Sequence, residues 1–196
     1  LNALLAAGDL HAGILEGKVR AREEEADRLV WRYSIAKGAA VALNPVPVAD
    51  LAGGVAVDVA MILALSRVYG IPLTRPAAVR LVRDMTFALG ATGLVHYATR
   101  LIGSGVKASL AGATVMSGGL AAPLTALGYG AIGLTQAVAG ATASYVIGHA
   151  AGTYLRQGGQ WGDKGLKTVV QELLAQAKAD SIVDRLRDEL KSQVKP

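Results

Sequence analysis

The sequence predicts an all-α fold: an integral membrane helical bundle with a Gly/Ala-rich transmembrane hairpin and amphipathic terminal helices. First, residues 108–155 contain no Asp, Glu, Lys or Arg, and a transmembrane helix needs about 20 mainly apolar residues. Second, 52% of the residues are hydrophobic and the mean hydropathy is +0.38. Third, Gly supplies 24 of the 196 residues, and small residues allow helices to pack closely inside lipid.

The charge-free run predicts two helices, at about 107–127 and 130–156, which cross the bilayer as a hairpin. Lys107 and Arg156 close the run at its two ends, which places both ends on the cytoplasmic side by the positive-inside rule. The second helix carries small residues at a strict four-residue spacing, which predicts a close helix-packing face. These residues are Gly140, Ser144, Gly148 and Gly152.

Two further apolar helices precede the hairpin, at about 34–43 and 48–69. A helix break at Asn44, Pro45 and Pro47 separates them, because proline lacks an amide donor and restricts the residue before it. A helix at about 77–102 follows. Aromatic residues at the ends of the apolar segments are typical of membrane interfaces: Trp31, Tyr33, Tyr69 and Trp161.

Charge distribution divides the chain into three parts. Residues 1–33 are expected to form a charged helical arm that leads from a missing upstream domain. Residues 34–156 form the membrane-embedded helical domain. Residues 157–196 form amphipathic cytoplasmic helices, because apolar residues recur there at helical spacing; Asp180 and Ser181 are expected to separate two of them.

The residue pattern predicts no catalytic, cofactor-binding or metal site in this chain. The sequence has no cysteine, so disulfides and thiolate metal sites are excluded. It has no phosphate-binding loop, and its three histidines lack the spacing of metal ligands. The net charge is +5, but no basic stripe with interleaved aromatic residues occurs, so we expect no nucleic-acid partner.

Three charged residues within or beside apolar segments are the polar candidates: Asp50, Asp58 and Arg100. Asp50 and Asp58 are eight residues apart, so they share one face of a helix. One interpretation is that Asp50 caps the helix while Asp58 pairs with Arg80, Arg83 or Arg100. The other is that the carboxylates line a hydrated pore, since charged groups at membrane depth face protein or water.

Several stretches resemble a known family. Asn44-Pro45-Val46-Pro47, followed by Ala49-Asp50-Leu51, is similar to an NP-[IV]-P-x-x-D-L signature, and residues 59–62 and 69–73 continue the similarity. Residues 141–148 resemble the second apolar block of the family. The tail, residues 153–190, resembles its cyanobacterial branch. The family is a membrane-associated domain of unknown function, usually found C-terminal to an Era-like P-loop GTPase domain.

This resemblance implies a membrane-embedding and oligomerising domain of a GTPase-family protein. The chain itself is then no enzyme, and GTP and Mg²⁺ are expected only in the upstream GTPase domain of the same polypeptide. The expected partners are the lipid bilayer and further copies of the chain, in a bacterial plasma membrane or thylakoid. Two alternatives stay open: an oligomeric ion channel gated by the GTPase domain, or a soluble helical bundle that inserts reversibly.

Overall fold

The computed structural model describes residues 2–43, 47–91 and 125–194. Over these residues the chain forms six α-helices and no strand. The helices are α1 (Asn2–Leu43), α2 (Pro47–Tyr69), α3 (Arg75–Ala91), α4 (Thr125–Arg156), α5 (Gly165–Ala179) and α6 (Ile182–Val194).

Local residue chemistry explains where several of these helices begin and end. Gly70 takes a left-handed φ of 71° directly after α2, a conformation that only glycine adopts without strain. The Thr74 hydroxyl then accepts the Ala77 amide at 3.4 Å, which caps α3. Ser181 lies between α5 and α6 with a φ of 55°, so the two C-terminal helices are separate.

The two long helices α1 and α4 form the centre of the bundle and make its most extensive contact. One apolar cluster joins α1 to α4 with α2, α3 and α5, and includes the fully buried Met61, Leu65 and Leu155. A second cluster joins α1 and α4 with α5 and α6 around Leu186 and Leu190. Helix α4 is therefore surrounded by other helices of the same chain.

The predicted integral membrane bundle is wrong. Among the residues that the structure describes, no helix has both the length and the apolar character needed to cross a bilayer. The predicted integral location in a plasma membrane or thylakoid fails for the same reason. The uncharged part of α4 has another cause: Thr142, Ser144 and Ala150 are buried by neighbouring helices, and an interior helix needs no charge.

The helix boundaries also differ from the predicted ones in places. Helix α1 is continuous through residues 33 and 34, where the sequence predicted the start of a separate helix. Helix α4 begins at Thr125 instead of at about residue 130. The predicted break at Asn44 and Pro45 lies outside the described residues, although α2 begins at Pro47. Arg100 and the first arm of the predicted hairpin, up to residue 124, also lie outside them.

Candidate functional site

A buried polar junction connects α1, α2 and α4. The Asp58 side chain on α2 is only 2% exposed. Lys37 on α1 donates to Asp58 Oδ2 at 2.6 Å, and the Ser144 hydroxyl on α4 donates to Oδ1 at 2.5 Å. Both carboxylate oxygens therefore have a partner, as a buried charge requires. We call these three residues the Lys37–Asp58–Ser144 junction.

A glycine on α2 leaves room for the Lys37 side chain in the junction. Gly54 lies one helical turn before Asp58, and a Cβ atom there would stand 3.2 Å from Lys37 Cε. Gly54 therefore leaves room for the lysine stem to reach the carboxylate. The partner of Asp58 is this lysine and not an arginine of the following helix. The sequence carries one relevant signal, a lone lysine within the apolar segment at 34–43.

The four-residue stripe on α4 lies against α1 and α2 of the same chain. A Cβ atom on Gly148 would stand 2.7 Å from Val30 Cγ2 and 3.0 Å from Met61 Sδ. Gly140 faces Val41, and Gly152 faces the ring of Tyr69. With Ser144 in the junction, every member of the stripe contacts a neighbouring helix within the bundle.

A cavity of about 200 Å³ opens beside this stripe. Its apolar lining includes Ala26, Val30 and Leu65. Its polar lining comes from α1, α2 and α4, so residues far apart in sequence meet there. The polar residues are Glu23, Asp27, Tyr69, His149, Thr153 and Arg156.

One ion pair joins α1 to α4 at the cavity, and a second pair of side chains approaches without a hydrogen bond. Arg156 donates to Glu23 at 2.9 Å. His149 Nδ1 lies 3.8 Å from Asp27 Oδ1, which is too long for a hydrogen bond. Within the described ranges, no cluster of three or more His, Cys, Asp or Glu side chains could hold a metal ion.

Burial changes the ionisation of two groups at this cavity. Burial lowers the pKa of His149 below its ordinary value of 6.5, although the nearby Asp27 opposes the shift. Burial also raises the pKa of Tyr69 above 10.0, with Arg156 acting in the opposite direction. At neutral pH, His149 is therefore uncharged and has one ring nitrogen that can accept a hydrogen bond.

The lowered pKa of His149 predicts a loss of stability on acidification. Below pH 6.5 the unfolded chain binds a proton at this histidine more readily than the folded chain, so the free energy of unfolding falls. The decline should continue until the pH reaches the folded pKa. We expect His149→Asn to reduce the decline measured by urea unfolding between about pH 7.5 and 5.5. His11 and His96 are retained in both proteins, so an identical decline in the variant would contradict this assignment.

A third feature is the exposed face of α3. Phe87, the only phenylalanine of the chain, is 73% exposed, and Val79 on the same face is 42% exposed. Arg80 and Arg83 are exposed between them. The opposite face of α3 is buried in the core through Val82 and other apolar residues. The exposed face therefore combines basic and apolar groups, which we call the α3 face.

The remaining predicted residues have defined surroundings or lie where no side chain is described. Trp31 packs edge-on against Tyr145, with Arg185 over its ring at 5.0 Å. Trp161 packs against Tyr154 with ring centres 4.8 Å apart. Tyr33 packs against the larger apolar cluster, and Tyr69 lines the cavity. Asp50 lies within α2, but its side chain is outside the described part of the structure.

Comparison of this sequence with known proteins identifies its family but no individual related protein. No curated protein and no solved structure matches the chain. The family model described as a domain of unknown function, DUF697, matches residues 5–179. The match covers α1 to α5, and with them the junction, the cavity and the α3 face. The chain therefore belongs to the DUF697 family.

Proposed function

We propose that this chain is a helical domain that binds the surface of anionic membranes through its α3 face without crossing the bilayer. The observation that carries the proposal is the exposure of Phe87 and Val79 beside Arg80 and Arg83. A helix that lies in a membrane interface has this composition, with apolar side chains that enter the acyl region and basic residues at the headgroups. The other face of α3 is already buried in the core, so Phe87 and Val79 remain available to a partner outside the bundle.

The α3 face carries a net positive charge, which favours an anionic bilayer as its partner. Arg75, Arg80 and Arg83 outnumber one carboxylate, Asp84, which lies 3.7 Å from Arg83. Each arginine near an anionic bilayer contributes about 1 kcal/mol to binding. Val79, Arg83 and Phe87 follow one another at four-residue spacing, so they lie along one side of the helix.

We predict that the chain co-sediments with vesicles of phosphatidylcholine and phosphatidylglycerol but not with phosphatidylcholine alone. The double substitution Arg80→Gln/Arg83→Gln should weaken this binding about 30-fold, because two arginine contributions of about 1 kcal/mol are removed. Binding should also weaken as salt is added, since exposed charges are screened. Phe87→Ser should weaken binding to the same vesicles by removing the apolar anchor.

Matched changes on α1 serve as controls. Arg20→Gln/Arg22→Gln removes the same charge from exposed positions, and Val19→Ser removes an exposed apolar side chain. Both controls should bind vesicles like the unmodified chain. If the α1 and α3 variants lose binding equally, net charge is responsible and the α3 face is not the binding surface. Unchanged binding by the α3 variants would also overturn the proposal.

We further propose, from the family resemblance, that the domain links a GTPase domain of the same polypeptide to the membrane. GTP hydrolysis by the full polypeptide should then respond to anionic vesicles, and Arg80→Gln/Arg83→Gln should abolish that response. A full polypeptide without GTPase activity would overturn this part alone.

The ion-channel alternative gains no support from Asp58, because both of its carboxylate oxygens are bonded within the bundle.

A further inference from the structure

The cavity between α1, α2 and α4 presents mainly polar groups to a solute. Val30 and Leu65 belong to the lining but are almost fully covered, at 2% and 0% exposed. Asp27 stands at the rim with its side chain 69% exposed, so its carboxylate is within reach of a solute. On the α4 side, Gly148 and Gly152 contribute backbone to the lining, and the side chains there belong to His149, Thr153 and Arg156. A ligand that fits this cavity is therefore small and meets mainly polar groups.

The charges at the rim select a cationic head. The Glu23 carboxylate is already compensated by Arg156 at 2.9 Å. Among the described residues, no lysine or arginine forms a salt bridge with Asp27, and the imidazole of His149 lies 3.8 Å from its carboxylate, beyond hydrogen-bond distance. A carboxylate and an uncharged imidazole both accept hydrogen bonds. A group with several N–H donors that lies beside both can therefore bond to each of them.

We propose that this cavity binds a small primary amine, with its ammonium group beside Asp27 and His149 and its short alkyl chain within the cavity. The ammonium group donates to the Asp27 carboxylate and to His149 Nδ1, and the Tyr69 hydroxyl is a further acceptor at the cavity. A volume of about 200 Å³ equals that of about six or seven liquid waters, which admits a short alkylamine.

Titration of the ¹⁵N-labelled chain with propylammonium chloride tests the proposal. We expect saturable shifts of the Gly148 and Gly152 amide signals, because both residues line the cavity. Propionate and propanol have similar size without the cationic head, and neither should produce saturable shifts at the same concentrations. An absence of saturation with propylammonium, or equal binding of propionate, would overturn the proposal.

Two substitutions separate the site from non-specific attraction. Asp27→Asn should weaken propylammonium binding about fivefold, since it removes one exposed charged contact worth about 1 kcal/mol. Asp84→Asn on α3 makes the same chemical change away from the cavity and should leave the affinity unaltered. Equal weakening by both variants would show a general charge effect and refute the assigned position.

The amine site and membrane binding can fail separately. Arg80→Gln/Arg83→Gln should leave propylammonium binding unchanged, because neither arginine lines the cavity. Likewise, Asp27→Asn should leave vesicle binding in place. Loss of amine binding in the α3 variant, while its folding by circular dichroism is unchanged, would contradict the location of the amine site.

Discussion

Replacing Lys37 by methionine should lower the free energy of unfolding by about 3–5 kcal/mol, because it leaves a buried carboxylate without its cation. Asp58 is 2% exposed and the Lys37 side chain is 14% exposed, so little water can replace the ammonium group. Ser144 would remain as a donor to one oxygen, but a hydroxyl does not compensate a full charge. Urea unfolding followed by circular dichroism measures the loss.

A second variant shows whether charge or packing is responsible. Lys37→Met/Asp58→Asn removes both charges and keeps an amide that can accept from Ser144, so it should recover most of the lost stability. An exposed pair provides the comparison: Arg28 donates to Glu25 at 2.9 Å with its side chain 62% exposed. Arg28→Met should change stability by about 1 kcal/mol or less. If Lys37→Met has an equally small effect, the junction does not hold the three helices together.

Over residues 125–155, the charge-free run predicted a helix correctly, but it did not predict what surrounds that helix. A helix in lipid and a helix inside a protein both lack charged residues, so the absence of charge cannot distinguish them. Here the abundance of Gly, Ser and Thr in α4 reflects close contact with α1 and α2, as at Gly148 and Ser144. The same residues reduce the apolar character of α4. Helix α2 was easier to predict, at 48–69 against the observed Pro47–Tyr69, because proline and glycine bound it.

Of the junction and the cavity, only a charged residue inside an apolar segment could be identified from the sequence. Asp58 stands out as an acid in an apolar helix, so the sequence alone identifies it. Lys37 lies 21 residues earlier on another helix, and no spacing rule connects two helices joined through a proline-containing segment. The cavity likewise draws Asp27, Tyr69 and His149 from three helices, and only the packing of those helices brings them together.

Substituting alanine for Gly148 should destabilise the chain by about 1–3 kcal/mol, although alanine is the better helix former. The added Cβ atom would stand 2.7 and 2.8 Å from the two γ-carbons of Val30, and 3.0 Å from Met61 Sδ. Val30 cannot easily rotate away, because a β-branched side chain in a helix has one strongly preferred rotamer. Helices α1 and α4 would have to separate, which weakens the contact at the centre of the bundle.

Gly90 supplies the matched control, since it lies in α3 and an added Cβ would meet no atom of another helix within 4 Å. Gly90→Ala should therefore stabilise the chain by about 0.5–1 kcal/mol through helix propensity alone. The opposite signs of the two alanine substitutions isolate the close approach at Gly148. Val30→Ala removes the γ-carbons that crowd this site, so combining it with Gly148→Ala should give a loss smaller than the sum of the single losses. Additive losses, or a gain from Gly148→Ala alone, would show that α1 and α4 do not meet closely at this glycine.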